Sequence, residues 1–186
     1  MNYNQEFNIK IQELSYKYFL ENKKNSIFKN FQKIECANMI TDSIGIDNLI
    51  VNTFFIIKNT NSIFIDYTVF KRFIVPEYYS KVVNYITSLI KTCITNYGTF
   101  NMHINLDSFT VSAAERYKNI IIIFLNNSIG TDYSIKLNNL FIYNTPSAFQ
   151  TISTLLSPLV EPTVKNKMVI YDKNDSTEIL KILFRM

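Results

Sequence analysis

Residues 138–172 read NNLFIYNTPSAFQTISTLLSPLVEPTVKNKMVIYD. The apolar run at 140–143 has strand character, a helix opens at Pro146 and runs to 157, prolines break its end, and a second apolar run follows at 168–171. Two strands joined by a helix form a parallel pair with the helix as crossover. That helix carries many large apolar residues. Phe149, Ile152, Leu156 and Leu159 make one stripe at spacings of three and four, and Leu155 widens it. A stripe of this kind is either ordinary core, the helix lying on the sheet, or the roof of an apolar cavity with a ligand inside or a bilayer outside.

The same alternation extends outward. Phe7, Ile11, Leu14 and Tyr18 predict a helix over 5–21. Lys23, Lys24, Lys29 and Lys33 then lie among Asn and Ser, a polar connection with room for one short helix. Two β-prone runs, 53–57 and 63–67, flank the turn-prone KNTN and predict a hairpin. Pro76 and Glu77 open a helix bearing Val82, Val83, Ile86, Leu89, Ile90 and Cys93, which Gly98 closes. In TFNMHINLD, residues Phe100, Met102, Ile104 and Leu106 alternate with Asn101, His103, Asn105 and Asp107, a strand with one apolar face. Ser112 and Glu115 have capping-box spacing ahead of the buried run IIIIFL at 120–125, and a last helix starts at Thr177. The prediction is an α/β fold: a mixed, mostly parallel sheet of about five strands with helices packed on it.

Composition bounds the function. The chain of 186 residues, 47% hydrophobic and 18% charged, is one ordinary domain, and its 15% aromatic content, without Trp, leaves apolar surface to hide or use. Abundant Ile, Asn and Lys fit AT-rich coding DNA, as in a large DNA virus or a protist. Cys36 and Cys93 form neither CxxC nor a disulfide framework, which points to a reducing, cytoplasmic setting. The N-terminus lacks signal-peptide features, and the longest apolar run falls far short of the about 20 residues a bilayer span needs. One histidine excludes an HExxH site, and glycines only at 45, 98 and 130 exclude P-loop, GxGxxG and GxSxG motifs. No catalytic residue, metal or cofactor is expected. His103 paired with Asp107 or Glu115 would make a general base, but a structural histidine explains it better; Cys93, on an apolar helix face, is a poor nucleophile, and Cys36 has no activating pattern. Asp66 and Asp107 follow strands, where capping accounts for them. A net charge of +4 spread along the chain gives mild attraction to anionic surfaces but no nucleic-acid site.

The order Asn144, Thr145, Pro146, Phe149, Pro158, Leu159, Glu161, Thr163, Lys167 resembles the CRAL-TRIO lipid-binding domain family, which includes phosphatidylinositol and tocopherol transfer proteins. HINLDSFTVSAAE resembles the family's Asp-Leu-x-Gly strand end, with Asn105 in the Asp position and Ser108 in the Gly position. The likeness is good over 99–172 and thinner over 53–98. It implies a helical gate, residues 146–165, over an apolar cleft, with Phe149, Ile152, Leu155, Leu156 and Leu159 on the gate. It also implies that Lys167, Phe100, Met102, Ile104, Phe141 and Tyr143 touch the ligand. Of the family's inositol phosphate-binding positions only Lys167 persists; Ile135, Phe100 and Met102 occupy the others, so an apolar ligand is as fitting as a phosphoinositide. Residues 1–47 would be a short N-terminal helical segment and 48–186 the lipid-binding domain, with the family's Gly-Gly segment missing after the last helix.

Two functions follow from the resemblance. The first is non-enzymatic binding of a single phospholipid or other hydrophobic small molecule, with transfer between membranes or sensing, and transient contact with a membrane surface aided by Lys165, Lys167 and the lysines of 23–33. The second is a ligand-free module of the same fold that binds a protein partner, a virion component being one example.

Overall fold

The computed structural model describes residues 5–22 and 29–184; Lys23, Lys24 and the side chain of Lys29 lie outside the described residues. The chain begins with three helices, α1 Gln5–Glu21, α2 Lys29–Ile44 and α3 Ile46–Thr53. The 5–21 helix is as predicted, whereas α2 runs through sequence that reads as mostly polar. Its buried apolar residues are Cys36, Ala37 and Ile40; Cys36 and Ile40 join the same core as Ile11 and Tyr18 of α1, with Met39 and Ile44 packed half-buried against it.

The hairpin forms as predicted: β1 Phe54–Ile56 pairs antiparallel with β2 Ser62–Asp66. A helix absent from the sequence reading follows at once, α4 Tyr67–Phe73. Asp66 starts it by accepting the Thr68 amide at 2.9 Å, and burial of Tyr67, Val69, Phe70 and Phe73 holds it. Pro76–Tyr78 forms a 3-10 turn that leads into α5 Tyr79–Tyr97, and Gly98 ends α5 in the left-handed conformation, φ 77°. Then come β3 Phe100–Asn105, α6 Val111–Ser128, α7 Tyr133–Lys136, β4 Leu137–Tyr143, α8 Phe149–Leu156, a 3-10 turn Ser157–Leu159, α9 Pro162–Lys165, β5 Met168–Ile170 and α10 Lys173–Phe184. Four local expectations change. The helix expected from Pro146 begins at Phe149, after a turn, and the last helix begins at Lys173, four residues before Thr177. Thr110, not Ser112, caps α6, accepting the Ala113 amide at 3.2 Å, because the helix begins one residue before Ser112. Of the run 120–125 only Ile120 is buried; the rest are half-buried, since an all-apolar helical segment turns part of its circumference away from the sheet.

The sheet has the order β1-β2-β3-β4-β5, antiparallel at the first pair and parallel thereafter. Stepping in one direction with right-handed crossovers puts α5, α6 and α8 on one face. There Phe54, Ile63, Phe100 and Leu137 join Val82, Ile86 and Ile90 of α5, Tyr117 and Ile120 of α6 and Ile152 of α8 in one continuous core. The opposite face carries a smaller cluster in which Phe55, Ile57 and Phe64 meet Leu180, Leu183 and Phe184 of α10.

The C-terminal edge of the parallel strands is tied together by buried polar side chains. Asp66, 1% exposed at the end of β2, accepts from Thr68 Oγ1 at 2.7 Å and from Asn105 Nδ2 at 3.4 Å. Asn105 Oδ1 at the end of β3 accepts from the Asp107 amide at 3.1 Å and from Asn144 Nδ2, beyond β4, at 2.8 Å. Ser108 and Asn144 turn the chain there with φ of 61° and 52°. An aspartate in place of Asn105 would set two carboxylates side by side away from water. Asn105→Asp should therefore lower stability by about 3 kcal/mol at pH 7. The pair holds a shared proton more tightly than the unfolded chain does, so part of the loss should return below about pH 5 in urea titrations followed by circular dichroism.

Candidate functional site

The segment 144–167 is fixed at both ends. Thr145 Oγ1 donates to the Tyr171 carbonyl at 2.9 Å and the Asn144 amide to Ser176 Oγ at 2.7 Å, which anchors the start of the segment to the chain beyond β5. Pro146 O accepts the Phe149 amide at 2.9 Å as α8 begins. At the far end Lys165 Nζ donates to Ser157 Oγ at 2.8 Å across the proline-delimited turns. Lys167 Nζ donates to the carbonyls of Ser134 at 2.9 Å, Ile135 at 3.0 Å and Leu137. Its three protons are thus all used to close the end of α7, and a ligand headgroup would have to displace a backbone acceptor to reach it.

Between these ends α8 lies against α6. Ile152 is the innermost of its side chains, 1% exposed in the main core, with Leu155 and Leu156 packed half-buried beside it. Phe149 and Leu159 are half-buried. On the outer side an open depression of about 420 Å³ is lined by Gln150, Thr151, Thr154 and Leu155.

The sheet divides five of the six residues predicted to touch a ligand; Lys167 lies just before β5. Phe100, Met102 and Ile104 share the face that α8 covers, while Phe141 and Tyr143 project from the opposite one. A register shift between Phe100 and Met102 pairs Met102 with Leu140 and His103 with Phe141. Leu140 and Ile142 are therefore the residues of β4 on the α8 side. The run LFIY is apolar at every position, so its alternation carries no parity, and only the pairing with β3 assigns the faces.

Behind the sheet the aromatics form a row. His103, 6% exposed, stacks on Phe141 at 4.7 Å between ring centres, and Tyr143 stacks on Tyr171 at 5.4 Å. His103 Nδ1 and Tyr143 Oη share a hydrogen bond of 2.8 Å. Neither Asp107 nor Glu115 is hydrogen-bonded to the ring. Burial alone drives the His103 pKa down to about 4, so the imidazole is neutral near pH 7. Burial also raises both thiols, Cys93 to about 11, which disfavours the thiolate at each. Among the described residues no cluster of His, Cys, Asp or Glu could hold a metal ion, and no helix is long and apolar enough to cross a membrane.

Residues 67–184 match the CRAL/TRIO domain. This chain belongs to the CRAL/TRIO family. Family members are lipid-binding and lipid-transfer proteins and are generally not enzymes. No curated protein matches the chain. Among solved structures, the crystal structure of Sfh5 is similar over 59% of this chain, at 15% identity and a TM-score of 0.47, and the chain spans 42% of the length of that structure. Within the CRAL/TRIO domain of this chain, α8 and its two clamps come directly from the 144–167 motif. The amide–carboxylate chain at the sheet edge escaped the sequence reading, because Asp66, Asn105 and Asn144 are about 40 residues apart in succession and each looks like an isolated turn residue.

The chain's single histidine makes its titration readable without assignment. Its folded value lies below that of the unfolded chain, so the folded state binds fewer protons between pH 6.5 and about 4 and stability falls as pH drops through that window. At about 1.4 kcal/mol per pH unit the loss should reach about 3 kcal/mol. Proton NMR of the imidazole Hε1 should show no titration above about pH 5; a midpoint near 6.5 would refute the buried, neutral assignment.

Proposed function

We propose that this chain binds one hydrophobic lipid, a phospholipid or another apolar small molecule, beneath the segment 146–165 and exchanges it with membranes without making or breaking a bond. The observation that carries this is a complete, doubly clamped α8 unit within a CRAL/TRIO domain. In this reading Phe149, Ile152, Leu155, Leu156 and Leu159 form the gate, and Met102, Ile104, Leu140 and Ile142 form the floor, with Phe100 at its deep end. Phe141 and Tyr143, behind the sheet, take no direct part, and Lys167 serves the gate as a clamp. Opening swings α8 between its anchors at 144–145 and 165–167. The contacts Ile152 gives up are offset by burial of the acyl chain at about 25 cal/mol per Å². The exposed stripe then touches the bilayer, and Lys165 adds attraction to anionic headgroups. Residues 1–47 act as a short helical segment beside the lipid-binding unit 48–186, and the protein works in the cytoplasm, meeting membranes transiently.

A second reading, a ligand-free module that binds a protein partner, is favoured by two observations: Ile152 fills the space under α8 at 1% exposure, and the ammonium of Lys167 is already satisfied. Incubation with phosphatidylcholine vesicles, followed by native mass spectrometry and a vesicle-to-vesicle transfer assay, separates the two. The lipid reading expects one lipid mass per chain, and a tenfold slower transfer in Leu159→Asp at unchanged unfolding midpoint. Ile152→Ala should instead lose about 2–4 kcal/mol of stability, as a buried core residue does. Absence of both adduct and transfer would leave the second reading standing.

A further inference from the structure

A cavity of about 710 Å³ opens where α1 and α2 meet α4 and the first turn of α6, and no residue of α8 lines it. Four cations line it, Lys71, Arg72, Arg116 and the already engaged Lys33, and no described carboxylate does. Lys71, Arg72 and Arg116 form no ion pair with a described carboxylate. Lys71 Nζ donates to Ser108 Oγ and lies 5.5 Å over the Tyr67 ring. Arg72 Nη1 donates to Ser15 Oγ at 2.9 Å, while its Nε is a buried donor without an acceptor. The exposed Arg116 guanidinium sits 5.9 Å from the centre of the Tyr117 ring. Burial, and next Arg72 beside it, push the Lys71 pKa down against the weaker pull of Asp107 and Asp66, so the positive charges here crowd one another. Asp66 is meanwhile engaged with Thr68 and Asn105. The positive end of the α6 dipole faces the same space, because Thr110, Ser112 and Ala113 of its first turn form part of the wall.

Three cations outside any ion pair, a buried guanidinium N–H in want of an acceptor and a helix start together select an anion with several acceptor oxygens, and the planar forks of two arginines suit phosphate. The volume exceeds that of an inorganic ion and lies in the range of organic ligand sites. The rings of Phe19, Tyr67 and Tyr117 offer an apolar wall to the remainder of such a ligand. We propose that this cavity binds a phosphomonoester, its phosphate held by Arg72, Arg116 and Lys71 and its organic part set against the tyrosines. The same chemistry is found in a free phosphorylated metabolite and in the headgroup of a lipid such as phosphatidic acid. The inference does not depend on the gate reading, since the cavity and α8 share no residue.

Two probes distinguish the sources on the full chain. Isothermal titration with sn-glycerol 3-phosphate, with glycerol as control, reads the free ligand. Co-sedimentation with phosphatidylcholine vesicles, with and without phosphatidic acid, reads the headgroup. Binding of either probe that falls at least tenfold in Arg116→Gln, is partly kept in Arg116→Lys, and is unchanged in Lys91→Gln on α5 supports the site and names its source. Arg72→Gln should fall likewise; if circular dichroism shows it misfolded, the exposed Arg116 variant decides alone. Binding of neither probe, or equal binding by wild type and Arg116→Gln, overturns the proposal. Retention of phosphatidylcholine is scored separately, so failure here leaves the gate reading intact, and the reverse.

Discussion

Three side chains at the C-terminal edge of the parallel sheet, Asp66, Asn105 and Asn144, govern what the rest of the chain does. Each ends a strand, and each is bonded to the next through a carboxylate or an amide. Buried polar groups of this kind have to be satisfied together, because one orphaned member costs more than the whole row contributes. Their satisfaction fixes where β2, β3 and β4 stop, and so where the following helices start. Asp66 caps α4, the Asn105 turn with its left-handed Ser108 leads to the Thr110 cap of α6, and left-handed Asn144 directs the chain through Pro146 into α8. The edge at which connections leave a parallel sheet is the usual place for ligand sites. Here it also decides how α8 lies.

The two faces of the sheet have different chemistry as a result. One face supports a continuous aliphatic and aromatic core reached by helices from both ends of the chain, so α1 and α2 share it with α5, α6 and α8. The other holds a stacked row of His103, Phe141, Tyr143 and Tyr171 beside α10. In the proposed lipid-binding reading, a ligand under α8 meets only the first face and competes there with Ile152 and the neighbouring leucines for the same space. The proposed gate is therefore a question of free energy between two fillings of one volume, not of a void awaiting an occupant.

Charge is distributed in a way the motif does not foretell. Lys167, the one cation common to this chain and the phosphoinositide-binding pattern it resembles, is spent on backbone carbonyls of α7 and the start of β4. Cations outside any ion pair gather instead at the joint between the N-terminal helices and α4, where two come from adjacent positions of one short helix and a third from α6, beside the engaged Lys33 of α2. Neighbours in sequence and partners across a fold thus make a single electropositive pocket.

The sequence by itself determined the α/β class, the hairpin, the strand at 99–107, the helix led in by Pro76 and closed by Gly98, and the order of the 144–167 unit. Each of these is written in local terms: a period, a proline, a glycine that needs a left-handed φ. It missed α4, because the Asp66 that caps that helix reads equally well as a strand end, and it undervalued α2, whose buried stripe of three small or medium residues is too narrow to stand out among Asn and Thr. Tertiary structure alone decided which side of β4 faces α8, since a run apolar at every position has no parity until a neighbouring strand assigns one. It alone brought Arg116 to Lys71 and Arg72, about 45 residues away along the chain, because opposing helices meet by packing and no local pattern records their contact.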